Sequence, residues 1–243
     1  MEKHSELNRY SVITEKNARE IVMLRGNGCA WKRCRFCDYH LDSSPDQKAN
    51  YELNRHVLKK VTGKYHKLEI INSGSFIDLD EQTMLLIEKI CQDRLISTVY
   101  FECHWMHREN ISALKNRFHE MGISVKIKTG IETFDFLFRE CYLNKGIDTD
   151  QPEEIARYFD EACLLLGLPG QTKQSMEDDI TTGLKYFERI CINIMTENSC
   201  SIKPAPKVID VFINELYPIY KDHPRADILL NNTDFGVGGK DSE

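Results

Sequence analysis

Apolar runs of four to six residues recur along this chain, each followed by a longer and more polar stretch. The runs occupy residues 21–24, 68–72, 98–102, 125–129, 162–166 and 190–195. Between them the apolar positions switch to helical spacing. Residues 81–92 (EQTMLLIEKICQ), 108–121 and 175–189 each put apolar side chains on one helical stripe. Asp80 and Ser175 are the expected N-caps of the first and last of these helices, whereas Asp179 lies too far inside to cap. Six strand–helix units with near-continuous apolar strands predict an α/β fold: a parallel sheet curled into a partial (β/α)6 TIM-like barrel. Chemistry in such a barrel gathers at the C-terminal strand ends and the loops that follow.

Length and charge narrow the picture. The 243 residues suit one domain spanning 1–243, with its core at about 20–197 and a segment, 198–243, expected to close over the barrel mouth. A net charge of −6 argues against a broad grip on nucleic-acid phosphates, leaving a local basic patch at Lys32, Arg33 and Arg35. No apolar run is long enough to span a membrane, and the polar N-terminus lacks a signal-peptide core. A cytoplasmic, reducing setting is expected. Six of the nine cysteines (91, 103, 141, 163, 191 and 200) are scattered, and read as small buried hydrophobes rather than disulfides.

The other three stand together in Gly28-Cys29-Ala30-Trp31-Lys32-Arg33-Cys34-Arg35-Phe36-Cys37, spaced C-x4-C-x2-C. Three thiolates can hold three irons of a [4Fe–4S] cube and leave the fourth iron open. Cys29, Cys34, Cys37 and His40 also make an acceptable zinc set by spacing alone. The loop follows a buried strand of a large domain, and Trp31 and Phe36 bring aromatic shielding, which favours the redox cluster. Further polar groups cluster at the predicted strand ends: Asn72-Ser73-Gly74-Ser75, Glu102-Cys103-His104, Gly130-Ile131-Glu132-Thr133, Gly167-Leu168-Pro169-Gly170-Gln171-Thr172 and Thr196-Glu197.

Together these motifs resemble the radical S-adenosylmethionine (SAM) enzymes, although their usual signature, C-x3-C-x-aromatic-C, is one residue shorter in its first gap. The resemblance implies a [4Fe–4S] cluster on Cys29, Cys34 and Cys37. It also implies a SAM site drawn from Phe36, Ser73, Gly74, Ser75, Glu102, Glu132 and Lys145 of Asn144-Lys145-Gly146. In that family, one electron cleaves SAM to a 5′-deoxyadenosyl radical that abstracts a substrate hydrogen. The ordered set CxWxRCxFC, NSGSF, GIET, LNKG and GLPGQT is similar to the branch acting on 7-deazapurines, which includes the archaeosine-synthase component and the queuine lyases.

The short extension past the sixth run and the acidic charge favour a free base over a tRNA, and so the queuine lyase family. The activity implied is cleavage of queuine at its exocyclic C–N bond to the aminomethyl-7-deazaguanine precursor. A reducing donor such as flavodoxin or ferredoxin is implied with it. Tyr39, His104, Glu197 and Asp234 are the substrate-contact candidates by address, the two carboxylates because a deazaguanine edge offers adjacent donors. Two other classes remain open from the sequence: a glycyl-radical-enzyme activase and a zinc-stabilised binding module.

Overall fold

In the computed structural model, which describes residues 7–239, a single eight-stranded sheet follows chain order from β1 to β8. Strand β1 (Tyr10–Ile13) runs antiparallel to β2 (Arg19–Leu24). From β2 onward all neighbours are parallel: β3 (Lys67–Asn72), β4 (Thr98–Glu102), β5 (Ser124–Glu132), β6 (Glu161–Leu166), β7 (Arg189–Ile194) and β8 (Ala226–Leu229). Strands β2 to β7 are the six read from the apolar runs. The sheet is therefore a partial TIM-like barrel with one further strand at each edge.

Helices α1 (Gln47–Leu58), α2 (Glu81–Asp93), α3 (Ile111–His119), α4 (Pro152–Ala156) and α5 (Lys173–Tyr186) cover the outer face. Alternate strand residues such as Ile70, Phe101, Ile127, Leu164 and Ile192 are almost fully buried beneath them. Asp80 caps α2, accepting from the Thr83 N–H at 2.9 Å. Ser175 is not the cap of α5. Thr172 is, and its hydroxyl accepts from the Ser175 N–H at 3.1 Å while the Ser175 hydroxyl accepts from the Thr172 N–H at 2.9 Å. This reciprocal box starts the helix two residues earlier than its apolar stripe suggests.

Inward-facing residues tell a different story from the apolar runs. Across the lower barrel, Arg19 bonds Glu69 at 2.5 Å, and Glu69 takes the Lys128 ammonium. Lys128 lies 3.7 Å from Glu161, which lies 3.9 Å from Arg189. Arg189 reaches Asp227 at 3.1 Å, and Asp227 returns to Arg19 at 3.4 Å. Three cations and three carboxylates thus alternate in a closed ring over six strands. Buried charges persist when each has partners of opposite sign on both sides.

The C-terminal segment supplies α6 (Pro206–Val211), α7 (Tyr217–Tyr220) and β8, then turns back to the opposite edge. Asn8 and Gly239 join by backbone hydrogen bonding at 2.8 Å, as do Gly238 and Asn8. The Phe235 ring lies 5.1 Å from the Arg19 guanidinium and 6.0 Å from the Lys128 ammonium, above the charge ring. The segment spans the lateral gap between β8 and β1 and puts an aromatic floor inside the barrel.

Candidate active site

The cysteine loop leaves β2 and lies against two neighbouring strand-end segments. The Cys29 N–H donates to the Ser73 carbonyl at 3.1 Å, and the Arg35 N–H to the Leu143 carbonyl at 3.0 Å. The Trp31 indole N–H donates to the Asn144 carbonyl at 2.9 Å, and the Asn144 amide returns a bond to the Arg33 carbonyl at 3.0 Å. Gly74 and Gly146 are required by these contacts. A Cβ on Gly74 would stand 3.0 Å from the Cys29 nitrogen, and one on Gly146 would stand 2.4 Å from the Trp31 ring.

All three thiols are half-buried, and Phe36 packs beneath them with Leu143, Leu165, Leu168, Met195 and Ile202. Burial pushes the Cys34 thiol up to about 11 against the pull of the Lys145 ammonium. The same cause takes Cys37 to about 12. Among the described residues, no group of three His, Cys, Asp or Glu side chains is arranged around a single ion. A cube spreads its sulfur ligands over three irons and needs no such arrangement. Three sheltered thiols facing a barrel mouth fit that cluster.

Beside them lies an ion pair. Lys145 Nζ donates to Glu132 Oε1 at 2.7 Å and sits 5.7 Å from the Phe36 ring centre. Burial lowers the lysine pKa, but Glu132 and Cys34 more than offset it, and the net shift is upward. Glu132 follows a bulge in β5 and has φ +71°. Such a conformation in a bulky residue is strained and must be held by its surroundings. The buried Asp179 of α5 holds it: one carboxylate oxygen accepts from the Phe134 N–H at 2.6 Å and from the Thr133 hydroxyl at 3.0 Å. Sequence reading set Asp179 aside as a residue with no cap to make; its contact is across the fold, where no local pattern reveals it.

A solved structure, queuine lyase from Clostridium spiroforme bound to SAM and queuine, matches this one with a TM-score of 0.92 and 44% identity. The match covers 96% of this chain and all 100% of that one. The chain belongs to the queuine lyase family. An uncharacterized protein of Methanocaldococcus jannaschii is 25% identical over 90% of this chain and 68% of its own length. No protein-family model matches the chain.

Within this queuine lyase fold the expected residues divide into two groups. Cys29, Cys34, Cys37, Phe36, Glu132 and Lys145 come together at the mouth. Tyr39 reaches the same place: it is 57% exposed, yet burial of its hydroxyl and the nearby Cys37, Glu132 and Glu102 raise its pKa. Ser73 borders the cysteine loop, its hydroxyl donating to the Asp42 carbonyl at 2.7 Å. Ser75 is 1% exposed and committed: its hydroxyl accepts from the His104 N–H at 2.9 Å.

The second group is engaged in contacts within the protein. The His104 ring is fully engaged, with Nδ1 accepting from the Met106 N–H at 3.2 Å and Nε2 2.9 Å from the Lys145 carbonyl. It stacks on Trp31 at 5.6 Å, and burial lowers its pKa to about 4, so it is a neutral brace for Lys145 and Trp31. Glu197 points outward and pairs with Lys203 at 3.1 Å. Asp234 is exposed and closes its own turn on the Asn231 N–H at 2.9 Å.

Proposed function

We propose that this protein is a radical SAM lyase that cleaves queuine between its exocyclic amine and the cyclopentenediol, releasing aminomethyl-7-deazaguanine. The observation that carries this reading is the 44% identity across 96% of the chain to a queuine lyase, with the three-thiol loop at the mouth of the same barrel. When bound, the [4Fe–4S] cluster and SAM supply reductive cleavage of the sulfonium and abstraction of a substrate hydrogen. Cys29, Cys34 and Cys37 would hold the cluster, and a loop with three thiols rather than four would leave one iron for SAM.

The chain's own residues order the rest. Lys145, braced by His104, presents a cation at the mouth, and Glu132 presents a carboxylate beside it, complementary to the charged ends of an amino acid. Ser73 borders the same ledge, Gly74 lets the cysteine loop approach closely, and Ser75 holds the His104 backbone. Phe36, with Phe138 and Tyr142 packed alongside, keeps water from the thiol side. A low-potential carrier such as flavodoxin or ferredoxin would deliver the electron in the cytoplasm. No described helix is long and apolar enough to cross a membrane.

The direct test is anaerobic reconstitution followed by incubation with reductant, SAM and queuine. About four irons per chain, 5′-deoxyadenosine and aminomethyl-7-deazaguanine are expected. Formation of 5′-deoxyadenosine with queuine left intact would remove the substrate assignment and keep the reaction class.

A further inference from the structure

Above the charge ring, inward residues on successive strands are half-buried while their outward neighbours are sealed. Met23, Ile71, Glu102, Gly130, Cys163 and Asn193 form this belt. The belt lies between the thiol loop and the Phe235 ring, which sits against Arg19 and Lys128. Most of the belt is apolar or weakly polar. Glu102 is its one charged member.

The charges around Glu102 are already matched. The floor ring alternates three cations with three carboxylates, and the mouth pairs Lys145 with Glu132. Lys128, which aligns with Glu102 across β4 and β5, gives its ammonium to Glu69 and Glu161. Among the described residues Glu102 has no ion pair, and its single protein hydrogen bond is a long one, 3.4 Å from the Asn72 N–H. Glu102 is therefore the one carboxylate of this set with no cation against it.

Resting on the queuine reading above, we propose that Glu102 is the counter-ion of the substrate's exocyclic secondary amine, held as its ammonium beside the bond that breaks. An ammonium supplies the opposite charge that Glu102 lacks among its protein neighbours and donates directly to the carboxylate. Burial raises the Glu102 pKa to about 7, with Lys128 pulling down and Glu69 pushing up; an ammonium beside it would draw the carboxyl into its ionised form. The assignment separates Glu102 from the SAM-binding set in which its strand-end address first put it.

Glu102→Gln tests this through binding rather than turnover. Affinities of the reconstituted protein are measured for queuine, for its neutral analogue with a methylene in place of the amine nitrogen, and for SAM. Queuine is expected to weaken about tenfold or more, with the analogue and SAM unchanged and the melting temperature not reduced. Equal weakening of queuine and the analogue would assign Glu102 to the base edge and overturn the proposal, as would weakening of SAM alone or no change at all. Wild-type protein that binds queuine and the analogue equally also overturns it, without recourse to a variant. Wild-type protein that binds neither base would instead remove the queuine reading itself.

Discussion

Lys145 Nζ lies 2.7 Å from Glu132 Oε1, and the pair occupies the space that a side chain on residue 130 would fill. A Cβ on Gly130 would stand 2.4 Å from Glu132 Oε1 and 2.8 Å from Lys145 Nζ. Both atoms are ends of flexible arms, so the fold can yield while the pair cannot keep its geometry.

Gly130→Ala is therefore expected to weaken SAM binding about tenfold while changing the melting temperature little, measured by calorimetry and thermal scanning on the same reconstituted sample. The expected size is that of one charge-assisted contact. A large fall in melting temperature with intact SAM affinity would contradict the role given to the pair.

Gly146→Ala should behave in the opposite way. Its φ is +79° and its added Cβ meets the rigid Trp31 ring, so backbone strain and a clash combine. A loss of about 1–3 kcal/mol is expected, with a change in tryptophan fluorescence and reduced iron uptake. Unchanged fluorescence and iron content would show that Trp31 does not seat the loop.

Cys34→Ala removes a half-buried thiol and little packing. Iron per chain should fall and SAM cleavage should vanish, with circular dichroism unaltered. Persistent SAM cleavage would refute the three-thiol ligand set.

Asp179 sets a pH dependence. Burial raises its pKa from 3.8 to about 7, so between those values the folded state binds more protons than the unfolded one. Its contribution to stability thus declines as pH rises from about 4 to 7 and is flat beyond. One carboxylate oxygen is buried with no partner among the described residues. Asp179→Asn keeps the acceptor for Thr133 and Phe134 and removes the titration. The melting temperature of the variant relative to wild type should rise between pH 5 and pH 8; a constant difference would show that Asp179 does not titrate there.

Glu69 works with the reverse sign. Burial opposes its ionisation, but Lys128 and Arg19 hold its pKa down at about 2. Its stabilisation is present above its unfolded value of 4.5 and is lost as pH falls through about 2. Glu69→Gln breaks the ring at its most buried carboxylate and is expected to cost about 3–5 kcal/mol in chemical denaturation at pH 7. A cost below about 1 kcal/mol, the range of an exposed pair, would mean the ring is solvated.

Six strands and the cysteine loop were legible in the chain because they rest on local rules: buried parallel strands are apolar runs, and the three thiols stand close in sequence. Strands β1 and β8 escaped notice. Each has four residues, and β1 is half-buried throughout, so neither carries a clean period. Helix α1 is too polar for its stripe to stand out, although Asp46 caps it by accepting from the Ala49 N–H at 3.0 Å. His104, Glu197 and Asp234 shared a strand-end or tail address with the site residues, but address does not give direction.

What the sequence by itself determined was the barrel class, the three thiols and the rim on which polar groups gather. Tertiary structure alone decided which charges meet. Arg19, Glu69, Lys128, Glu161, Arg189 and Asp227 come from six strands spread over most of the chain, and nothing local couples them. Their mutual neutralisation, and that of Lys145 with Glu132, is what leaves Glu102 without a counter-charge, because electrostatic balance depends on distance in space rather than separation along the chain.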